Sequence, residues 1–213
     1  MMTSPIRSYV RVKLRCDHLE VVKERIKVVY NATGFDFHNY TQLDCHSTLK
    51  NVSLDQLDIL HAVEMAELKK QVFVGCLGVP HFSVKLREEM KTTDDRPSVK
   101  VIVVRECTCN PYQTIVPGYA FSKTLQNFDS HMMFFEPKNN VIKLRESFYY
   151  GQNLQIHLDK IVLRPNIYLK FVQIKLLGDP RDQSIRQHMN EIIDHLYLTD
   201  CEQTCKSYLS LLE

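Results

Sequence analysis

Cys107-Thr108-Cys109 sets two thiols on one side of an extended chain, and Cys201 and Cys205 stand one helical turn apart. Thiols at these spacings can hold a metal or oxidise to a disulfide. A structural zinc site asks for four ligands in recurring Cys and His pairs, and no such set occurs. No metal and no cofactor is therefore expected. Cys107 and Cys109 stay open between metal ligands, a disulfide and small buried residues, whereas Cys201 and Cys205 read as part of an apolar helix face. Seven Cys, an odd count, fit reduced thiols better than a disulfide framework.

Nucleophilic catalysis needs a nucleophile placed beside a base, and neither G-x-S-x-G nor H-E-x-x-H occurs. Asp94-Asp95, next to Arg96 and Pro97, reads as a solvated loop. Only six Gly are present, and neither phosphate-binding glycine motif is found. Gly75-Cys-Leu-Gly78 has the outline of a backbone clamp for nucleic acid, but its middle residues are apolar, which suits a turn after a buried strand. The chain reads as a non-enzyme. Net charge is +2, too small to mark nucleic-acid binding on its own. A local basic face made of Arg7, Arg11, Lys13 and Arg15 keeps a nucleic-acid-binding module as the alternative function.

These residues sit on a pattern dominated by strands. From Tyr9, Val10, Val12, Leu14 and Cys16 alternate with Arg11, Lys13 and Arg15, the signature of a half-buried strand whose basic side faces solvent. Leu19 to Tyr30 fits a helix through Leu19, Val22, Ile26 and Val29, or a strand through its Val-Val pairs, and stays open. So does Leu60 to Leu68. Strands are expected at Phe82 to Leu86, Val101 to Val104, Met132 to Phe135, Val141 to Leu144, Leu154 to Val162 and Ile167 to Leu177. In the last, the apolar phase switches sides at Val172, implying a bulge or burial on both faces.

Helix signals concentrate at the C-terminus. Asp179 can cap, Pro180 can take the first helical position, and Ile185, Met189, Ile192, Ile193 and Leu196 share a face. A second short helix is expected from Thr199-Asp200, with Cys201, Cys205, Tyr208 and Leu212 on one side. Strands at short intervals joined by polar loops predict a mainly β fold, a sandwich over residues 1–178, with a helical extension over residues 179–213.

Asn166-Ile-Tyr-Leu-Lys-Phe-Val-Gln-Ile-Lys-Leu-Leu-Gly178 resembles the closing strand of discoidin-type, galactose-binding-like jelly rolls. Within that superfamily, Gly151-Gln-Asn-Leu-Gln-Ile-His-Leu158 through Val172 to Pro180, and Leu57-Asp-Ile-Leu-His-Ala62 through Gln71-Val-Phe-Val74, resemble the N-terminal jelly roll of the TOG-domain centrosomal family of the ciliary tip. The resemblance implies a jelly-roll β-sandwich that recognises ligands through loops at one end. It also implies a centrosomal or ciliary setting. With no Trp to stack on a sugar ring, protein recognition is the favoured use.

The expected contact residues are Tyr112, Ile115, Tyr119 and Phe121 in an aromatic loop from Thr108 to Thr124, and Ile185, Met189, Ile192 and Leu196 on the C-terminal helix. For each group, packing inside the chain's own core is the competing reading. The sequence therefore points to a non-enzymatic interaction subunit with a protein partner. No stretch reaches the length of a membrane span and no signal-peptide pattern opens the chain, so a cytoplasmic location without membrane partners is expected. The acceptor patterns at Asn31, Asn39 and Asn51 then read as chance.

Overall fold

The computed structural model describes residues 7–30, 35–49, 82–91, 98–106, 116–124, 135–179, 181–204, 208 and 211. In chain order the elements are β1 (Arg7–Arg15), α1 (Leu19–Val29), β2 (Phe35–Leu49), β3 (Phe82–Lys91), β4 (Ser98–Glu106), β5 (Val116–Thr124), β6 (Phe135–Tyr150), β7 (Leu154–Arg164), β8 (Ile167–Leu177), α2 (Gln183–His195) and the two-residue β9 (Glu202–Gln203). The fold is mainly β, as expected.

All the strand pairs are antiparallel, in the order β5-β4-β3-β2-β6-β7-β8-β1-β9. Strand β1 closes the circle. One of its edges pairs with β8 from Tyr9 to Arg15, while the other pairs with β5 from Arg7 to Arg11 and then with β9 at Leu14 and Arg15. Eight strands therefore form a barrel, which removes the exposed edges that two facing sheets would keep. The jelly-roll sandwich is corrected to this closed barrel. Closure depends on β1 meeting β5 about a hundred residues further on, a pairing that no local pattern encodes.

Both helices cover one outer flank of the barrel. Leu19, Val22 and Ile26 of α1, and Met189, Ile192 and Ile193 of α2, are buried in one cluster with Val10, Val12 and Leu14 of β1, Leu154, Ile156 and Leu158 of β7, and Val172, Ile174 and Leu176 of β8. The open choice at Leu19 to Tyr30 resolves as helix, because the outer faces of β1, β7 and β8 offer an apolar stripe for Leu19, Val22 and Ile26 to pack on.

The cap of α2 is Asp182, whose carboxylate accepts from the Ser184 amide at 2.9 Å. Asp179, the expected cap, is instead held by Arg181, with Nη2 2.9 Å from Oδ2. The second C-terminal helix does not form at Thr199-Asp200. The chain turns there, hydrogen-bonds Cys201 to Leu198 and enters β9.

Strand β8 shows the expected burial on both faces from Phe171 to Ile174. Asn166, in the tight turn from β7 to β8, has a φ of 63°, a left-handed conformation that Asn tolerates better than most residues.

Candidate functional site

Because side chains alternate across a strand, the apolar outer face fixes what points inward. With Val10, Val12 and Leu14 under the helices, Tyr9, Arg11 and Lys13 face the barrel interior, and all three are buried. By the same alternation β6 turns Val141, Lys143, Arg145 and Ser147 inward, β7 turns Gln155, His157, Asp159 and Ile161, and β8 turns Phe171, Gln173 and Lys175. Register carries this row to β3, where Glu89 pairs with Gln42, whose other neighbour is Lys143, and Arg87 pairs with Asp44, whose other neighbour is Val141.

The described interior thus holds six cations, Arg11, Lys13, Arg87, Lys143, Arg145 and Lys175, against two carboxylates, Glu89 and Asp159. Each carboxylate stands beside an arginine. Arg87 Nη1 is 3.6 Å from Glu89 Oε1. Asp159, fully buried, is gripped by both arms of the Arg145 guanidinium, Nε to Oδ1 at 2.5 Å and Nη2 to Oδ2 at 2.6 Å. A two-pronged grip of this kind is among the strong charged contacts in proteins. Burial alone would raise the Asp159 carboxyl, but the charge and hydrogen bonds of Arg145, with Lys143 adding to them, hold it well below the usual carboxylate range.

Arg11 and Lys175 are directly paired across β1 and β8. Like charges at opposed positions destabilise a sheet, so folding alone does not favour the placement. Lys175 lies over the Tyr9 ring at 4.5 Å, and Lys13 over the Tyr208 ring at 4.1 Å, each ammonium set against an aromatic face.

His157 is buried with Nδ1 2.7 Å from Ser147 Oγ. Burial first, and then the positive charge of Arg145 with Lys175 and Lys143 behind it, push this imidazole well below its usual range, so the ring is neutral near pH 7. The same cations that keep the ring neutral oppose its protonation. Among the described residues no group of three or more His, Cys, Asp or Glu stands together as a metal site.

One end of the interior is closed by Val141, Ile161, Phe171 and Tyr208, with Leu169 and Leu211 packed against them. Tyr208 comes from the segment after β9, and its hydroxyl donates to Asp159 Oδ2 at 2.5 Å. Burial and then the Asp159 charge keep this phenol well above its usual range, so it remains a neutral donor.

The basic residues expected on one solvated strand face are divided between the barrel interior and solvent. Arg11 and Lys13 are inside the barrel rather than on a solvated face, while Arg15 is exposed and lies 3.9 Å from Glu202. Arg7 opens β1, and its side chain lies outside the described residues. Met189, Ile192 and Leu196 are fully buried against the barrel and Ile185 packs half-buried on the same cluster, so this helix face is used within the molecule. Tyr119 and Phe121 fall on β5, with their side chains outside the described residues. Tyr112, Ile115, the Cys107 and Cys109 pair, Asp94-Asp95, Gly75 to Gly78, Leu60 to Leu68 and Leu57 to Val74 also lie outside them.

Lys143, Arg145, His157, Asp159 and Lys175 were missed as site residues. Their signal was available: basic and polar residues recur at every second position of Val141 to Ser147, Gln155 to Asp159 and Gln173 to Lys175, in the same phase as Arg11 and Lys13.

No protein-family model matches the chain, and no curated protein matches it. Solved structures do. The PH1819 protein of Pyrococcus horikoshii aligns over 96% of this chain and 97% of its own, at 16% identity and a TM-score of 0.61. A putative adenylyl cyclase from Hippeastrum, described as having a dominant triphosphatase activity, aligns over 97% and 94%, at 6% identity and a TM-score of 0.55. A chain of the Schizosaccharomyces pombe Mediator head module aligns over 93% and 97%, at 7% identity and 0.53. The RNA triphosphatase domain of a trifunctional mimivirus mRNA capping enzyme aligns over 89% and 88%, at 7% identity and 0.50.

Identities this low establish a shared fold. That fold replaces the discoidin-type resemblance, and the centrosomal and ciliary setting goes with it. The non-enzymatic interaction module is also overturned. Chains with this barrel include proteins described as triphosphatases, and the helix face assigned to a partner is buried against the barrel. No helix among the described residues is long and apolar enough to cross a membrane.

Proposed function

We propose that the chain is a barrel enzyme that binds a ligand carrying a chain of phosphates, an inorganic or nucleoside triphosphate, in its cationic interior and cleaves a phosphoanhydride bond there. One observation carries the reading: β1, β6, β7 and β8 direct Arg11, Lys13, Lys143, Arg145 and Lys175 into the barrel interior, with Arg11 and Lys175 facing each other across a strand pair. A polyanion lying among these groups is matched to them in charge. The triphosphatase descriptions of two proteins sharing the barrel support the same substrate class.

Hydrolysis of a terminal phosphate requires little covalent chemistry from the protein. Water attacks the terminal phosphorus, the bridging P–O bond breaks, and negative charge builds on the leaving phosphate. Fixed cations at low dielectric stabilise that charge more in the transition state than in the ground state. Arg11 and Lys175, on the half of the cavity away from the Tyr208 plug, hold the phosphate chain. A bound polyphosphate offsets the cations that oppose protonation of His157, and so lets this ring take the proton of the attacking water. Arg145, already engaged by Asp159, is the fixed anchor of the wall.

Phosphate release from inorganic triphosphate and from a nucleoside triphosphate tests the assignment, with divalent cations included in the assay. The expected result is release above the buffer rate, with KM raised about tenfold to a hundredfold in Arg11→Gln or Lys175→Gln, the range set by losing one charged hydrogen bond of about 1.5–3 kcal/mol. A wild-type protein that neither binds nor cleaves either compound overturns the proposal.

A further inference from the structure

Strand β9 pairs Gln203 with Leu14 and Glu202 with Arg15, and the Thr204 amide donates to the Lys13 carbonyl at 2.9 Å. Each step backward on one strand is a step forward on the other, so the next pair in this register is Cys16 with Cys201. Bonded and non-bonded pairs alternate along an antiparallel ladder. Lys13 and Thr204 are hydrogen-bonded, so Leu14 with Gln203 is a non-bonded pair, Arg15 with Glu202 a bonded one, and Cys16 with Cys201 again non-bonded. At such positions the Cα atoms stand about 4.5 Å apart and the side chains lie on the same face. That separation is within the range a disulfide spans.

The side chains agree with the backbone. Cys16 is buried in the cluster beneath the helices, and Cys201 packs half-buried against that cluster. Both are free thiols, and each packs on the same apolar cluster. Burial, together with the adjoining Cys16, pushes the Cys201 thiol up to about 11. Few Cys201 thiolates therefore exist near pH 7, and reaction there is slow until pH or a stronger oxidant drives it.

We propose that Cys16 and Cys201 are a redox-active dithiol that closes to a disulfide with a low-molecular-weight disulfide such as glutathione disulfide as the oxidant. One protein thiolate attacks the oxidant and releases the first small thiol. The second protein thiolate then attacks the mixed disulfide, forming the Cys16–Cys201 bond and releasing the second small thiol. Two electrons pass from the protein to the oxidant, and the two protein protons end on the released thiols.

The bond would fasten the start of the C-terminal segment to the end of β1. That segment runs through β9 to Tyr208, which plugs the interior beside Lys13 and Asp159. Oxidation thus locks the plug in place, and reduction leaves it held by non-covalent contacts.

The full chain is incubated with glutathione disulfide at pH 8.5, and its peptides are mapped by mass spectrometry without reduction. The expected result is a peptide pair joined through Cys16 and Cys201, abolished in Cys201→Ser and in Cys16→Ser. Amide exchange at Thr204 and Tyr208 should be slower in the oxidised protein than in the reduced one. Both thiols remaining alkylatable after oxidation, or a bond from either to another cysteine, overturns the proposal. The readout is a covalent bond, so the outcome is independent of whether the cavity binds phosphates.

Discussion

Asp159→Asn removes the carboxylate at the centre of the cationic wall while keeping its shape. The native group is fully buried, takes two hydrogen bonds from Arg145 and accepts a third from Tyr208. Removing one partner of a buried pair costs about 3–5 kcal/mol, because the remaining charge stays desolvated. The Tyr208 hydrogen bond to a charged acceptor is worth about 1.5–3 kcal/mol, but it shares that carboxylate and does not simply add. A loss of about 4 kcal/mol follows, a large part of a typical domain's 5–15 kcal/mol. At about 2–4 °C per kcal/mol for a chain of this size, Tm should fall by roughly 8–16 °C.

Calorimetry or circular dichroism against temperature measures the shift. The double variant Arg145→Met/Asp159→Leu should lose much less, since an apolar pair replaces both charges. Asp159 is held below its unfolded value, so its contribution is complete above about pH 4, the unfolded carboxylate range, and is lost as pH falls from there towards the folded value. Asp159→Asn should therefore flatten the acid limb of the stability curve. A single variant melting within about 2 °C of the wild type, with its acid limb intact, refutes the assignment of Asp159 as the buried counter-charge.

Met189→Ala opens a void between α2 and the barrel at a fully buried position and should cost about 2–5 kcal/mol in urea denaturation. Gly178 has a φ of 151°, and a Cβ there would collide with the Ile185 side chain, so Gly178→Ala should cost about 1–3 kcal/mol and loosen α2, read as faster amide exchange from Ser184 to Met189. Tyr208→Phe removes the hydroxyl donor to Asp159 and should lower stability by about 1.5–3 kcal/mol at pH 7, with a smaller difference below pH 4.

The strands were legible because alternation is a local signal, and β1, β7 and β8 fall close to where it placed them. Which face was inside was not legible from one strand. Val10, Val12 and Leu14 read as the core of a sandwich, and they are buried, but under helices on the outside of the barrel. The side opposite an apolar face is solvated only when the sheet stays open; in a closed barrel it becomes a lumen.

Two amphipathic helices that each need an apolar partner held part of the answer, since Leu19, Val22 and Ile26 with Met189, Ile192 and Ile193 require a sheet surface to cover. Buried Arg145 and Asp159 lie 14 residues apart and meet only because β6 and β7 pair in register. No linear motif records that meeting. The Cys16 and Cys201 pairing is more remote still, visible once β9 is known to lie against β1.

Calorimetric titration of the full chain with inorganic triphosphate tests the cationic interior most directly. One saturable site is expected, weakened at least about tenfold in both Arg11→Gln and Lys175→Gln, the loss of one charged contact, while Arg181→Gln on the surface leaves it unchanged. Absence of saturable binding in the wild type, or equal affinity in all four proteins, contradicts that expectation.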